Sequence, residues 1–380
     1  SDLIPHHGKI VDDIALINID IAGWRKRIGY VPQELFLFHT DLMTNVTLGD
    51  PSIDEAAVMD ALHTAGASEF VAALPDGLHT VLGERGTRLA LDEPHILGGD
   101  IAGDVVEVGS EVTRLAVGER VVVNPRLTCR QCPACVAGQT ELCERPGMIG
   151  ATANGGYAEL AVAPATNCIP IADNLDYEQA ASLPTVFLPC WSILMRHGAL
   201  KPWETVLVLS ASSGVGTAGI QLAKNVVGAW VRTTTSSQEK AEKAKALGAD
   251  EVINYKEESI ADRVKELTGG KGVNVVIDHV GADFWRDASR SLAVGGRYGI
   301  CGATTGLKVE LQVGLLFLKH QKIFGVFMGR NSDLRHIVDL AGRGTIKGVI
   351  AETFPLEQAA DAHRLMDETN FFGKIVLSVA

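Results

Sequence analysis

Four of the seven cysteines in this 380-residue chain crowd into one stretch, "CRQCPACVAGQTELC". Cys129, Cys132, Cys135 and Cys143 follow the spacing C-x2-C-x2-C-x7-C. Four thiolates from one short loop can close a tetrahedron around zinc, leaving no position for substrate. The pattern predicts one structural zinc, whose binding energy would hold together a lobe with little core of its own. Cys168, Cys190 and Cys301 are scattered and read as packing residues.

A second chemical signal lies in "TVLVLSASSGVGTAGIQLAKNVV". A continuous apolar strand runs into a turn and then a helix, as in a sheet covered on both faces. Ser212, Ser213, Gly214, Val215 and Gly216 make the turn. Gly214 and Gly216 allow backbone to approach a pyrophosphate at the helix N-terminus, and Ser210 stands where a first glycine would be expected. The next strand, "AWVRTTT", ends in Thr233 to Ser237, with Lys240 beyond. An acidic residue there would bind the adenosine ribose and repel a 2′-phosphate. Hydroxyls and a lysine suit a phosphate instead, so NADP(H) is the expected cofactor, held by Thr235, Ser236 and Lys240. "GVNVVIDHVG" and "GGRYGICGATTG" are further strands, each reaching glycine near where a nicotinamide would lie; Val280 and Gly302 are its candidate contacts.

Strands and helices must alternate to position these residues, which predicts an α/β fold with a parallel sheet. "QKIFGVFMG" is a further strand and "GKIVLSV" the last. The nucleotide-binding domain is expected over 165–329. Residues 91–164 and 330–380 would form a second domain carrying the cysteine lobe.

Composition narrows the function classes. The net charge of -12 argues against nonspecific nucleic-acid binding. No run of about 18 apolar residues is present, so no membrane span is expected. The first residues, "SDLIPHHGKIVDD", lack a signal-peptide pattern, which points to the cytoplasm and to reduced thiols.

Residues 1–90 read differently. "IGYVP" has the character of a short buried strand, and "SIDEAAVMDALHTAGASEFVAAL" that of a helix. Ala57, Met59, Ala61, Leu62 and Ala65 fall near helical spacing, with Asp54 as N-cap. Gly8 to Leu89 resembles part of the nucleotide-binding domain of an ABC exporter. "WRKRIGYVPQE" is similar to the Q-loop, with Gln33 as its glutamine, and "AGASEFVAALPDGLHTVLGERGTRL" to the helical subdomain. Binding of magnesium-ATP needs G-x-x-x-x-G-K-[ST], which the chain lacks, and "ALDEP" stands where LSGGQ should follow. An inert α/β fragment is therefore expected here, with an ATPase component as the remote alternative.

From Pro94 to Ala380 the chain resembles the medium-chain dehydrogenase/reductase superfamily. "PHILGGDIAGDVVEVGSEV", "VGERVVV", the cysteine lobe, "GGYAEL" and "GKIVL" fall in family order. The resemblance implies a Rossmann domain inserted in a GroES-like catalytic domain, hydride transfer with a nicotinamide, a small-molecule substrate, and a homodimer or homotetramer. It implies a catalytic zinc only in members with the ligands for it. Here Gly98-Gly99-Asp100 replaces G-H-E, and Thr185 takes the third ligand's place. Quinone-oxidoreductase-like members are thus the nearer expectation. Thr185, Tyr157 and Asp100 are the polar candidates for the cleft. The layout of the family implies that about 60 dehydrogenase residues are missing ahead of Pro94, leaving a partial GroES-like domain with open strand edges. A nucleotide-binding fusion without turnover is the second reading.

Overall fold

The computed structural model describes residues 10–11, 14–15, 40–47, 50, 52–64, 67–72, 74, 77–82 and 95–379. The chain divides into two units, Ser1–Asp92 and Glu93–Ala380.

In the first unit, helices Leu42–Thr47, Glu55–Thr64 and Ser68–Ala72 enclose a small core of Leu42, Val58, Val71 and Leu78. Asp54 caps the middle helix as expected, its Oδ1 accepting from the Ala57 amide at 2.9 Å. The buried stripe differs from the expected one: Val58 faces the core, while Met59 is exposed. Gln33, the "IGYVP" stretch and "ALDEP" lie outside the described residues.

The second unit begins with a small antiparallel sheet. Strand β1 is Ile101–Asp104, β2 is Arg120–Val123 and β3 is Cys168–Pro170, in order β1-β2-β3. Cys168–Pro170 was expected at the head of the nucleotide-binding domain. Its pairing with Val121–Val123 puts it in this sheet instead. A short apolar segment with a free edge beside β2 gains ladder hydrogen bonds only there. "GGYAEL" forms no strand: Leu160 is 68% and Val162 92% exposed. None of the described strands covers these alternate apolar residues.

Helix α1 (Pro184–Trp191) leads into the large sheet. Strand β4 (Thr205–Val208) is followed by α2 (Gly214–Gln221), β5 (Trp230–Thr235), α3 (Gln238–Ala246), β6 (Glu251–Asn254) and β7 (Val273–Asp278). Then come β8 (Leu292–Ile300) and β9 (Lys322–Gly325). All neighbours are parallel, in order β6-β5-β4-β7-β8-β9. Val206, Leu207 and Val208 are fully buried, as a doubly covered strand requires. The strand order reverses between β4 and β7, and ligands of open parallel sheets bind at such a switch point, outside the carboxyl ends of the strands.

After β9 the chain returns through α4 (Asn331–Gly342) to β10 (Ile350–Pro355), α5 (Ala359–Glu368) and β11 (Lys374–Ser378), with β10 and β11 parallel. Among the described residues no helix is long and apolar enough to cross a membrane.

Candidate active site

The turn after β4 is built for close backbone approach. Ser210 has φ +57°, the left-handed conformation that makes glycine the usual residue there. Its amide donates to Thr234 Oγ1 at 2.8 Å, which helps hold the strained residue. A Cβ on Gly216 would sit 2.0 Å from the Ser210 carbonyl oxygen. One on Gly214 would meet Val186 Cγ1 at 2.7 Å. Ser213 caps α2, accepting from the Gly216 amide at 2.8 Å.

The hydroxyl of Ser213 also contacts Ser210 O at 2.9 Å and His279 Nε2 at 2.8 Å. The carbonyl can only accept, so the serine's single proton goes to it, and His279 donates from Nε2. Burial holds the ring below the ordinary histidine range, so the imidazole is neutral. His279 follows β7 and ties that strand to the glycine turn. An unfolded chain charges this histidine below about pH 6.5. The native state then binds fewer protons than the unfolded one, and stability falls as pH drops. The midpoint of thermal unfolding should decline between about pH 7 and pH 5. His279→Gln, which keeps a donor without titrating, should flatten that decline; an equal slope in both proteins contradicts the assignment.

Asp278, also beyond the reach of the sequence reading, shapes the facing turn. Its Oδ1 accepts from the amides of Val280 and Gly281 at 2.7 and 3.0 Å, and its Oδ2 from buried Tyr298 at 2.8 Å. Burial, with Asp278 alongside, pushes the Tyr298 phenol well up, so it stays a donor. Gly302 lies against His279, where a Cβ would come 3.0 Å from the His279 carbonyl oxygen.

At the end of β5 the threonine run divides its duties. Thr233 Oγ1 donates to Val208 O at 2.8 Å, and Thr234 is spent on Ser210. Thr235 Oγ1 is buried and has no partner among the described residues. An orphaned buried hydroxyl at this corner fits a polar ligand such as a ribose. Ser237 caps α3 through the Lys240 amide, and Lys240 Nζ donates to the Thr369 carbonyl at 3.0 Å.

Two of the three polar candidates, Asp100 and Thr185, are in direct contact, and Tyr157 lies beside Gly98, each with partners that sequence reading missed. Asp100 Oδ1 accepts from the Thr185 amide at 3.0 Å and Oδ2 from its hydroxyl at 2.5 Å. Lys374, the first residue of β11, donates to Asp100 Oδ2 at 2.8 Å and to Thr185 Oγ1 at 3.4 Å. The stem of Lys374 packs near Gly214, so this cluster borders the glycine turn. Both Asp100 oxygens are engaged, so a metal there would have to displace the lysine. Tyr157 lies against Gly98, and its hydroxyl is 3.3 Å from His363 Nε2 on α5. Burial pushes the Tyr157 phenol up, opposed by Lys374 and aided by Asp100. A single cation opening a strand near the chain end was the legible trace of Lys374. Nothing in the spacing of His363 marked it.

The four cysteines converge. Their sulfurs all lie within 4.8 Å of one another, the one such cluster among the described residues. The amides of Cys129 and Cys132 donate to Cys143 Sγ at 3.2 Å and Cys129 Sγ at 3.4 Å. Amides of Gln131 and Cys132 pull the Cys129 thiol down to about 6, while burial and the neighbouring sulfurs push Cys135 up to about 12. Amides aimed at sulfur stabilise thiolates, and a cation would let all four ionise. The lobe is tied to the chain's return from β9: Glu141 pairs with Arg330, and Arg126 donates to Glu141 O at 2.8 Å while lying over the Phe327 ring.

Comparison with known proteins decides the family. A model described as zinc-binding dehydrogenase matches residues 214–343, and one for the alcohol dehydrogenase GroES-like domain matches 71–173. A NAD-dependent alcohol dehydrogenase of Saccharolobus solfataricus is 32% identical over 290 residues, 76% of this chain and 83% of the relative. The chain belongs to the zinc-containing alcohol dehydrogenase family of medium-chain dehydrogenases/reductases. A quinone oxidoreductase-like protein 2 homolog of Nematostella vectensis is 32% identical, over 75% of this dehydrogenase and 73% of that protein. A crystal structure of a NAD-dependent alcohol dehydrogenase superposes with a TM-score of 0.73 at 41% identity, covering 76% and 83% of the two chains. These relatives lend nothing to the exporter-like reading of residues 8–89, and the GroES-like match starts inside that stretch, at residue 71.

Proposed function

We propose that this oxidoreductase uses NADP(H) and acts on a small carbonyl, enone, quinone or alcohol. The glycine turn at the switch point carries the reading, together with a β5 that ends in Thr235 and is followed by Ser236 and, on α3, Lys240, with no acid at the strand end. Ser212 to Gly216 would take the pyrophosphate, Thr235 and Ser236 the ribose, and Val280 and Gly302 would flank the nicotinamide. Lys240 would trade a neutral carbonyl for a charged phosphate. The cofactor, when bound, supplies or accepts hydride. The Saccharolobus relative is named as NAD-dependent, so the proposed preference for NADP(H) rests on this chain's Thr235, Ser236 and Lys240 and draws nothing from that relative.

In the cleft, Asp100 fixes Thr185 and Lys374, and Tyr157 is the group with a proton to give. Cys129, Cys132, Cys135 and Cys143 would hold one structural zinc. NADPH consumption against a panel of quinones, enones and aldehydes tests the assignment. Binding without consumption of any of them marks a nucleotide-binding protein instead.

We also infer self-association. Strand β9 is one of the two edges of the large sheet, β6 being the other. On the segment leading into β9, Val309, Leu311, Val313, Phe317 and Leu318 are exposed, and apolar side chains beside an unpaired strand edge favour association. A homodimer or homotetramer closing this edge is expected by sedimentation; a monomer at micromolar concentration contradicts it.

A further inference from the structure

We propose that His363 passes protons between solvent and Tyr157, so that the two side chains form the proton path of the hydride-transfer site. The inference rests on the oxidoreductase reading of the cleft. His363 sits on α5, half-buried, with Nε2 3.3 Å from the Tyr157 hydroxyl and the two rings 5.9 Å apart at 57°. Tyr157 faces inward against Gly98, two residues from Asp100. Both side chains are half-buried, and Tyr157 is the member of the pair on the Asp100 side. The charged groups acting on Tyr157 are Lys374 and Asp100, which are tied to each other. Neither offers Tyr157 a proton: Asp100 is an acceptor, and the Lys374 ammonium is committed to Asp100 and Thr185. His363 is the partner left to exchange one.

In the reducing direction the substrate carbon gains a C–H bond from the hydride, and the carbonyl π pair moves to oxygen. That oxygen takes the Tyr157 proton as the phenolic O–H bond breaks. His363 returns a proton from Nε2 to the tyrosinate, and solvent replaces it on the ring. Oxidation runs the same transfers backwards, so the hydride balances against the nicotinamide and the proton against solvent. Tyr157 is the catalytic group here, and His363 acts through it.

Two measurements on the full chain test this. The first is ultraviolet titration of tyrosinate, with Tyr157→Phe subtracted to isolate Tyr157. The Nε2–H of His363 stabilises the tyrosinate, so His363→Phe should raise the Tyr157 ionisation by about one to two pH units. His363→Gln can still donate and should restore the titration. The second is NADPH turnover. Both variants should lose kcat about a hundredfold or more at unchanged KM, within the 10²–10⁴-fold range of general acid–base catalysis, and in His363→Gly, which leaves room for it, added imidazole should restore part of the rate. Gln would then repair the titration without repairing the rate, which no purely structural role predicts. An unmoved Tyr157 ionisation in His363→Phe overturns the proposal, whatever the turnover. So does a rate loss in His363→Gly that imidazole leaves unchanged. Where turnover is too slow to follow, the titration decides alone. Failure to bind any nicotinamide cofactor sinks the oxidoreductase reading instead, and leaves the titration result standing.

Discussion

Gly216→Ala is expected to abolish measurable nucleotide binding while leaving the fold in place. The added Cβ would lie 2.0 Å from the Ser210 carbonyl oxygen, a contact that backbone must move to relieve. Ser210 is already in the left-handed region and held by Thr234, so the turn has little slack. The Gly216 amide and the cap from Ser213 would shift together, since Ser213 is also bound to His279. Amides at this helix N-terminus are the donors for a pyrophosphate. Losing two such bonds to a charged group, at about 1.5–3 kcal/mol each, weakens binding by about a hundredfold or more. Fluorescence titration with NADPH reads this directly, and circular dichroism checks the fold. Unimpaired binding would mean the pyrophosphate lies elsewhere.

Removing the metal is expected to have the second large effect, on stability rather than chemistry. Cys132→Ser should release zinc and lower the midpoint of thermal unfolding by about 10 °C, on the scale of a lost metal in a domain of this size. The sulfurs converge on one point within 4.8 Å, and the lobe's own secondary structure is two single turns, Pro133–Val136 and Thr140–Leu142. Without a cation at its centre the four thiols compete, and the loop that presents Glu141 to Arg330 loosens. That pair joins the lobe to the start of α4, where Asp333 is buried and paired with Arg196. Metal analysis should give one zinc per chain in protein purified without chelator. Nicotinamide binding should survive in Cys132→Ser, because the glycine turn is held by other residues. No zinc in the unmodified protein, together with an unchanged midpoint in the variant, would refute the site.

How much was legible in the sequence followed from locality. The cysteine lobe and the glycine turn are each encoded within about twenty residues: the four sulfurs converge and the turn opens α2. In the large sheet β4 was legible as a continuous apolar run, as burial on both faces demands, and the other strands from their place in the alternation of strands and helices. Cys168–Pro170 was misplaced because a three-residue strand carries no period, and only its pairing with β2 assigns it. Asp100 and Thr185 were readable as candidates, but Lys374 joins them from 274 residues away, and His363 reaches Tyr157 across 206. No spacing rule spans such distances. The threonine run showed a different limit. The run of hydroxyls read as a site suited to phosphate, yet those of Thr233 and Thr234 are engaged by the backbone of the neighbouring strand and turn, and of the three only the Thr235 hydroxyl has no partner among the described residues.

The most direct test of the account is an equilibrium titration of the full chain with NADPH and with NADH, repeated on Lys240→Ala. Saturable binding of both is expected, with NADPH tighter by about tenfold or more, the worth of a charge-assisted bond to the 2′-phosphate. Lys240→Ala should remove most of that difference and leave NADH nearly unchanged. Binding of neither nucleotide would contradict the reading of this chain as a nicotinamide oxidoreductase, and equal affinities in the unmodified protein would contradict the choice of NADP(H).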